Sequence, residues 1–186
     1  FVSTNLLLSG PDAPLRWKGP PDASFLWRGV LEAGAFREFL SDIVWGNLDF
    51  LFIDVPPGTD RIERLLELVG VDSVLLVTTP SSAALHAVGK SARLLLDAGL
   101  TNIGLVVNMS GYTCPGCGER TAIIPGPSPP DFHLPGDLVP WVEIPFDPAL
   151  AATTDTGFPL VLAHPERPSA VALRNLAERL EREVDP

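Results

Sequence analysis

Cysteine is scarce in this sequence, with two residues among 186. So few thiols cannot build the disulfide framework of a small secreted domain, and we therefore expect the reducing environment of the cytoplasm. Long apolar runs are also lacking, because none approaches the roughly 20 residues that a membrane-spanning helix requires. These two absences exclude a disulfide scaffold and give no reason to expect a membrane partner.

Basic residues are few as well, since 13 Lys and Arg face 23 Asp and Glu, for a formal net charge of -10 and a pI near 4.6. Nucleic acids and anionic membrane surfaces bind basic patches, so we expect neither as the main partner. Hydrophobic residues make up 46% of the 186 residues, which is enough for one sizeable core. We predict a single α/β domain over residues 1–186, with a CxxC loop and a proline-rich insertion at about 109–140.

A third absence is the glycine-rich lysine loop, G-x-x-x-x-G-K-S/T, with which P-loop proteins hold phosphates. The Gly-Lys-Ser sequence at residues 89–91 lacks the preceding glycines and lies inside a predicted helix. By residue types alone, the chain therefore has no phosphate cradle. We do not expect this chain alone to hydrolyse ATP.

What the sequence does contain is an alternation of apolar runs with helical patterns. The runs at 50–53, 73–78 and 103–108 are typical of parallel strands buried on both faces. Apolar residues at helical spacing predict helices over 61–69, 82–98 and 169–184, the second ending at Gly99. This order predicts a doubly wound, mostly parallel sheet flanked by helices, with ligands beyond the carboxyl ends of the strands. Stretches rich in proline and glycine at 11–28 and 125–140 interrupt the pattern.

Asp54 follows the first predicted strand and precedes a Pro-Pro-Gly-Thr turn at 56–59. Four apolar residues before an acid have the form of a Walker B element, whose carboxylate helps to organise magnesium beside nucleotide phosphates. A glycine in a rigid turn lets backbone N–H groups approach a phosphate closely. The alternative is an aspartate that caps the next turn through its own backbone.

Cys114 and Cys117 form a CxxC motif just after the third predicted strand, and Gly116 and Gly118 permit a tight turn around them. Zinc and iron–sulfur clusters usually take four protein ligands, so the pair is half of a metal site. A second chain can supply the other half. The alternatives are a structural zinc, for which His133 is the nearest additional ligand, a thioredoxin-like redox pair, or no metal at all.

Five motifs then occur in the order seen in the Mrp/ApbC group of iron–sulfur cluster carrier ATPases, which the chain resembles over nearly its whole length. They are DVPPGTD at 54–60, VVNMS at 106–110, CPGCGE at 114–119, IPFDP at 144–148 and AHP at 163–165. This group belongs to the ParA/MinD-like branch of P-loop ATPases. The resemblance implies that an amino-terminal strand and a Walker A loop precede everything seen here, so the chain is expected to be the carboxyl-terminal part of a longer protein.

The resemblance also implies roles for individual residues. Asp54 would be the Walker B acid near magnesium, Pro57 and Gly58 would belong to the switch that senses the γ-phosphate, and Asn108 would face adenine. Pro145 and Asp147 would form the neighbouring wall of the base pocket. The chain departs from the group where Thr59 runs directly into Asp60, because the group usually has one more glycine there.

Function follows from the same resemblance. It implies a cluster carrier or scaffold that binds a 4Fe–4S cluster through Cys114 and Cys117 of two identical subunits and passes it to apo-proteins. ATP and magnesium would act in the complete protein. Two alternatives stay open: a ParA/MinD-like nucleotide switch with a structural CxxC, and a non-catalytic interaction module.

Overall fold

Helices and parallel strands alternate along the chain from residue 59 to residue 113, in the order that the hydrophobic pattern predicts. The computed structural model describes residues 3, 25–55, 59–126 and 133–184. The chain divides into two units, Phe1–Gly70 and Val71–Pro186. This division does not test the one-domain prediction, which stays a prediction.

In the described residues of the first unit there are two helices, α1 (Phe25–Asp42) and α2 (Thr59–Leu68). Helix α2 confirms the predicted helix, because Ile62 and Leu65 recur at helical spacing and both are half-buried. Helix α1 was not predicted. Its first residues lie in the stretch that is rich in proline and glycine, and its apolar residues follow no single stripe.

The buried strand predicted at residues 50–53 is wrong. This segment has no regular secondary structure, and Phe50, Leu51 and Phe52 are 38%, 43% and 73% exposed. The rings of Phe50 and Phe52 stack on each other with centroids 6.0 Å apart. A parallel strand is held by hydrogen bonds to neighbouring strands, and none of the described residues provides such a ladder here. The apolar run alone does not make a strand.

The second unit is built on a four-stranded sheet. Its strands are β1 (Val74–Thr78), β2 (Ile103–Thr113), β3 (Arg120–Thr121) and β4 (Pro140–Phe146). Strands β1 and β4 both pair with β2 in parallel, whereas the short β3 pairs antiparallel with the end of β2. The predictions of strands at 73–78 and 103–108 are confirmed, and β2 continues five residues beyond Asn108 to Thr113.

Four helices accompany this sheet: α3 (Ser82–Asp97), α4 (Pro148–Thr156), α5 (Leu160–Ala163) and α6 (Pro168–Val184). Helix α3 begins where the Ser81 hydroxyl accepts a hydrogen bond from the Ala84 N–H at 3.3 Å. It ends before Gly99, whose φ of +85° is the left-handed conformation that stops helices. Both limits agree with the prediction for 82–98.

The core of the second unit covers both faces of β2. On one face, α6 packs on the sheet through Ala172, Leu173 and Leu176, against Val106 and Ile144. Alternate strand residues point to the opposite face, where Leu76, Leu105 and Val107 are buried. Helix α3 contacts β1. Helix α6 agrees with the helix predicted over 169–184, and its Val171 is 36% exposed.

This arrangement confirms the predicted fold class, a sheet with parallel strands flanked by helices, although the antiparallel β3 makes the sheet mixed. None of the helices in the described ranges is long and apolar enough to span a bilayer. The carboxyl ends of β2 and β4 lie together at one edge of the sheet, because the two strands run in parallel. That edge carries most of the predicted site residues of the second unit.

Candidate functional site

The two cysteines lie in a closed loop between β2 and β3. The loop, residues 114–119, is fixed by a 2.9 Å hydrogen bond from the Cys114 N–H to the Glu119 carbonyl. Inside it, the Gly118 N–H donates to the Cys114 carbonyl at 2.8 Å. Gly118 has a φ of +73°, so the glycine provides the turn that the sequence predicted there. Both thiols are free, with Cys117 exposed and Cys114 partly covered.

The loop backbone is arranged to stabilise a thiolate at Cys114. Hydrogen bonds from the backbone N–H of Cys117, then that of Gly116, and finally the Cys117 thiol lower the pKa of Cys114 below its ordinary value. Desolvation opposes this effect and is the smallest of the contributions. A thiolate is the form of cysteine that binds metals and acts as a nucleophile. The loop therefore favours the metal-binding form of Cys114.

The described residues add no third ligand to this pair. Among them, no group of three or more His, Cys, Asp or Glu side chains stands close enough to hold a metal ion. His133, the additional zinc ligand considered from the sequence, instead borders a groove along α3 with His86, Lys90 and Arg93. Within these residues the CxxC loop offers two thiols and no further ligand.

Asn108 lies on the same strand as the cysteine loop, immediately before an irregularity in β2. Asn108 pairs with Ile144 of β4 and Tyr112 pairs with Phe146, so β2 has two more residues than β4 between these positions. Met109, in this bulge, has a φ of +55°, and its N–H donates to the Asn108 side-chain oxygen at 2.9 Å. That oxygen retains a second lone pair, and the amide NH₂ can donate two hydrogen bonds.

One arginine connects the cysteine loop to the rest of the sheet. Arg120 is the first residue of β3 and follows the loop directly. Its Nη2 donates to the Ser110 hydroxyl of β2 at 2.9 Å and to the Glu143 carboxylate of β4 at 2.6 Å. We call this side chain and its two partners the Arg120 bridge. The sequence gives no sign of this bridge, because the partners are 10 and 23 residues away and no local pattern marks such pairs.

Pro145 and Asp147 follow on β4 and at the start of α4. The Asp147 carboxylate caps α4 by accepting the Ala149 N–H at 2.9 Å, and Arg167 donates two further bonds to it at 2.7 Å each. The Ser169 hydroxyl donates a third side-chain hydrogen bond to the Asp147 carboxylate. These partners, with Arg167 the largest cause, lower the pKa of Asp147 from 3.8 to about 2. The carboxylate is thus fully occupied within the protein, and only the backbone of this residue is free to form a pocket wall.

The remaining predicted residues belong to the first unit. Asp54 is exposed, and it has no hydrogen bond or ion pair to any residue that the structure describes. It does not end a strand, so the geometry that suggested a Walker B element is not present here. Pro57 and Gly58 lie outside the described residues. The structure therefore brings Asn108, Pro145 and the cysteine loop onto one pair of neighbouring strands, and the roles of all the predicted site residues stay predictions.

A mixed sheet with parallel strands flanked by helices is the fold of the P-loop NTPases related to ParA and MinD. Residues 16–181 match the family described as "ParA: NUBPL iron-transfer P-loop NTPase". The chain belongs to this family, and the resemblance seen in the sequence is confirmed. Iron transfer is the activity that names the family.

Solved structures agree with this assignment. A nucleotide-binding protein from Archaeoglobus fulgidus, in complex with ADP and with cobalt found in it, is 31% identical, with 69% of this chain and 53% of that chain covered and a TM-score of 0.57. The cell division ATPase MinD of Pyrococcus furiosus is 29% identical, covering 84% of this chain and 62% of that one, with a TM-score of 0.56. The septum site-determining protein MinD of Pyrococcus horikoshii, complexed with Mg-ADP, is 28% identical over 83% of this chain and 60% of that one, TM-score 0.56. The chain thus spans between about half and about three fifths of the length of these proteins.

Proposed function

We propose that this protein carries a 4Fe–4S cluster as cargo and delivers it to apo-proteins in the cytoplasm. In the proposed carrier, two identical copies meet and each supplies Cys114 and Cys117 to one cluster. The observation that carries the proposal is the pair of free thiols on a closed loop, in a chain of the iron-transfer family. Two copies would complete the four-thiolate set that one copy lacks.

The chemistry of the loop fits this cargo. Iron–sulfur clusters are held by cysteine thiolates, and the backbone hydrogen bonds to the Cys114 sulfur already favour the thiolate. Cys117 is exposed, so the second ligand of each copy is open to solvent and to a recipient protein. A cluster bound at such a loop is accessible for ligand exchange, whereas a buried cluster would first require unfolding of its surroundings.

Nucleotide binding is proposed for the complete protein. Two similar structures contain ADP, one of them with magnesium, and the free amide hydrogens of Asn108 suit the adenine edge. The sequence has no Walker A loop, so this proposal does not extend to ATP hydrolysis by the present chain alone. The residues proposed to contact ATP and magnesium are Asp54, Pro57, Gly58, Asn108, Pro145 and the backbone of Asp147.

Anaerobic reconstitution with iron and sulfide tests the cargo. The expected product is a dimer with about four irons and four sulfides, the content of one bridging cluster. Cys114→Ser and Cys117→Ser should each remove most of this iron, since half of the thiolates are lost. Glu181→Gln, at an exposed position of α6, is the matched control and should keep the full content. An unchanged iron and sulfide content in both cysteine variants would refute the carrier.

A second candidate is a nucleotide-dependent switch that positions a partner and uses the CxxC only as structure. The similarity to MinD ATPases favours it, because two of the solved relatives bear that name. In that case the full-length protein should bind its partner in an ATP-dependent manner even when both cysteines are replaced by serine. A non-catalytic interaction module would show neither cluster content nor a response to ATP.

A further inference from the structure

The CxxC loop rests on a very short piece of sheet. Strand β3 has two residues, and these pair only with Tyr112 and Thr113 at the end of β2. Two-stranded pairing of this length is marginal in water without further contacts. Beside the backbone bond between Cys114 and Glu119, a side-chain contact is therefore expected to help fix the direction in which the loop projects from the sheet.

The Arg120 bridge is a side-chain contact that can fix the direction of the loop. Its guanidinium joins β3 to Ser110 on β2 and to Glu143 on β4, so one side chain connects three strands. The ion pair with Glu143 is partly shielded, with side-chain exposures of 52% for Arg120 and 34% for Glu143. Because the loop ends at Glu119, movement of Arg120 moves the loop directly.

A glycine makes this path possible. A Cβ at Gly111 would lie 3.1 Å from Arg120 Nε and 3.2 Å from the Thr121 carbonyl oxygen. The arginine side chain therefore runs closely over the β2 backbone at Gly111, inside the irregular part of the strand after Asn108. The bulge and the absence of a side chain at Gly111 thus leave room for the Arg120 side chain to lie against the β2 backbone.

We propose that Arg120 is the positioning residue of the thiol pair, holding the loop so that Cys114 and Cys117 project together in one fixed direction. This inference rests on the proposed function, because a half-site must be oriented in order to meet its counterpart on a second copy. Ligands that are held in place before binding lose less conformational entropy when the metal or cluster binds.

A cobalt titration tests the positioning separately from cluster assembly. Co²⁺ is added anaerobically to the reduced chain, and thiolate binding is followed by the sulfur-to-cobalt charge-transfer band. Arg120→Gln should weaken Co²⁺ binding by about two- to fivefold, the range that loss of one exposed ion pair allows. Arg120→Lys should recover part of the affinity, because an ammonium can still pair with Glu143.

Two further variants test whether the effect on Co²⁺ binding depends on the ion pair between Arg120 and Glu143. The exchanged pair Arg120→Glu with Glu143→Arg should bind Co²⁺ more tightly than either single variant, because it restores opposite charges. Arg93→Gln removes an arginine of similar exposure whose 4.0 Å ion pair with Asp97 lies on α3, and it should leave the affinity unchanged.

Hydrogen exchange supplies a readout without metal. In Arg120→Gln the amides of Cys114 and Gly118 should exchange several-fold faster, because their hydrogen bonds close the loop, whereas the amides of α6 should keep their rates.

Equal Co²⁺ affinity in Arg120→Gln and the parent chain would overturn the inference, as would a parent chain without a charge-transfer band. Equal acceleration in α6 would also overturn it by showing general destabilisation. A parent chain that binds Co²⁺ through its thiols but assembles no iron–sulfur cluster would refute the proposed function instead.

Discussion

Asp147→Asn is the substitution whose effect follows most directly from the structure. The carboxylate caps α4 through the Ala149 N–H, accepts two bonds from Arg167 and one from Ser169, and has a side chain that is 6% exposed. Asparagine keeps one oxygen for the cap, since it is a good N-cap residue. Its NH₂ group, however, would face the donors of Arg167 or Ser169, so hydrogen bonds are lost and the arginine is left without its counter-ion.

The magnitude follows from the pKa. Asp147 titrates at about 2 in the folded chain, against an ordinary value of 3.8. By linkage this difference contributes about 2 kcal/mol to the free energy of unfolding at pH 7. Because the folded pKa is the lower one, the contribution is fully present above pH 4 and is lost as the pH falls towards 2. At pH 3 about half of it should remain.

Urea denaturation followed by circular dichroism measures this contribution. Asp147→Asn should lower the free energy of unfolding by about 2 kcal/mol at pH 7, and the difference from the parent chain should shrink steadily between pH 4 and pH 2.5. Arg167→Gln is the matched partner and should show the same pH dependence, because it removes the other half of the ion pair. A difference that stays constant down to pH 2.5 would refute the assignment of an ionised, paired carboxylate.

Two further predictions concern the core and the loop. Gly104→Ala should destabilise the chain by about 1–3 kcal/mol in the same assay, because its Cβ would lie 2.6 Å from Trp141 Cε3, and an unchanged stability would contradict the packing of this tryptophan. Iodoacetamide should alkylate Cys114 before Cys117 at pH 7, with a rate that rises with pH around a midpoint below that of an ordinary thiol, because its folded pKa is lowered. Peptide mapping after short reaction times shows which of the two cysteines is alkylated first. Faster labelling of Cys117 would contradict the lowered pKa of Cys114.

The parts of the fold that could be predicted are those with a strong local pattern. Strands β1 and β2 have continuous apolar runs, helices α3 and α6 have apolar residues at helical spacing, and the caps of α3 agree with its pattern. Strand β4 was not predicted as a strand, because it contains Pro140, Glu143 and Pro145, and proline and charge argue against a central strand. Its parallel pairing with β2, which its own sequence does not reveal, is what makes it a strand.

The segment at residues 50–53 is the opposite case. Its apolar residues suit a strand, but strand formation depends on a hydrogen-bonding neighbour that no property of the segment itself reveals. The same distinction applies to the site. The cysteine pair and Asn108 are visible as motifs, whereas the Arg120 bridge depends on residues that only the folded sheet brings together. Motifs identify ligands, and long-range contacts determine how those ligands are held.

The incomplete ligand set at Cys114 and Cys117 also decides which measurements are informative. Two copies of the loop can place four thiolates around one zinc ion as well as around one 4Fe–4S cluster, since both take four sulfur ligands. Metal-dependent dimerisation would therefore agree with either cargo and cannot separate them. Acid-labile sulfide belongs only to the cluster, so the ratio of sulfide to iron in the reconstituted dimer is the quantity that distinguishes a carrier of iron–sulfur clusters from a zinc-bridged dimer.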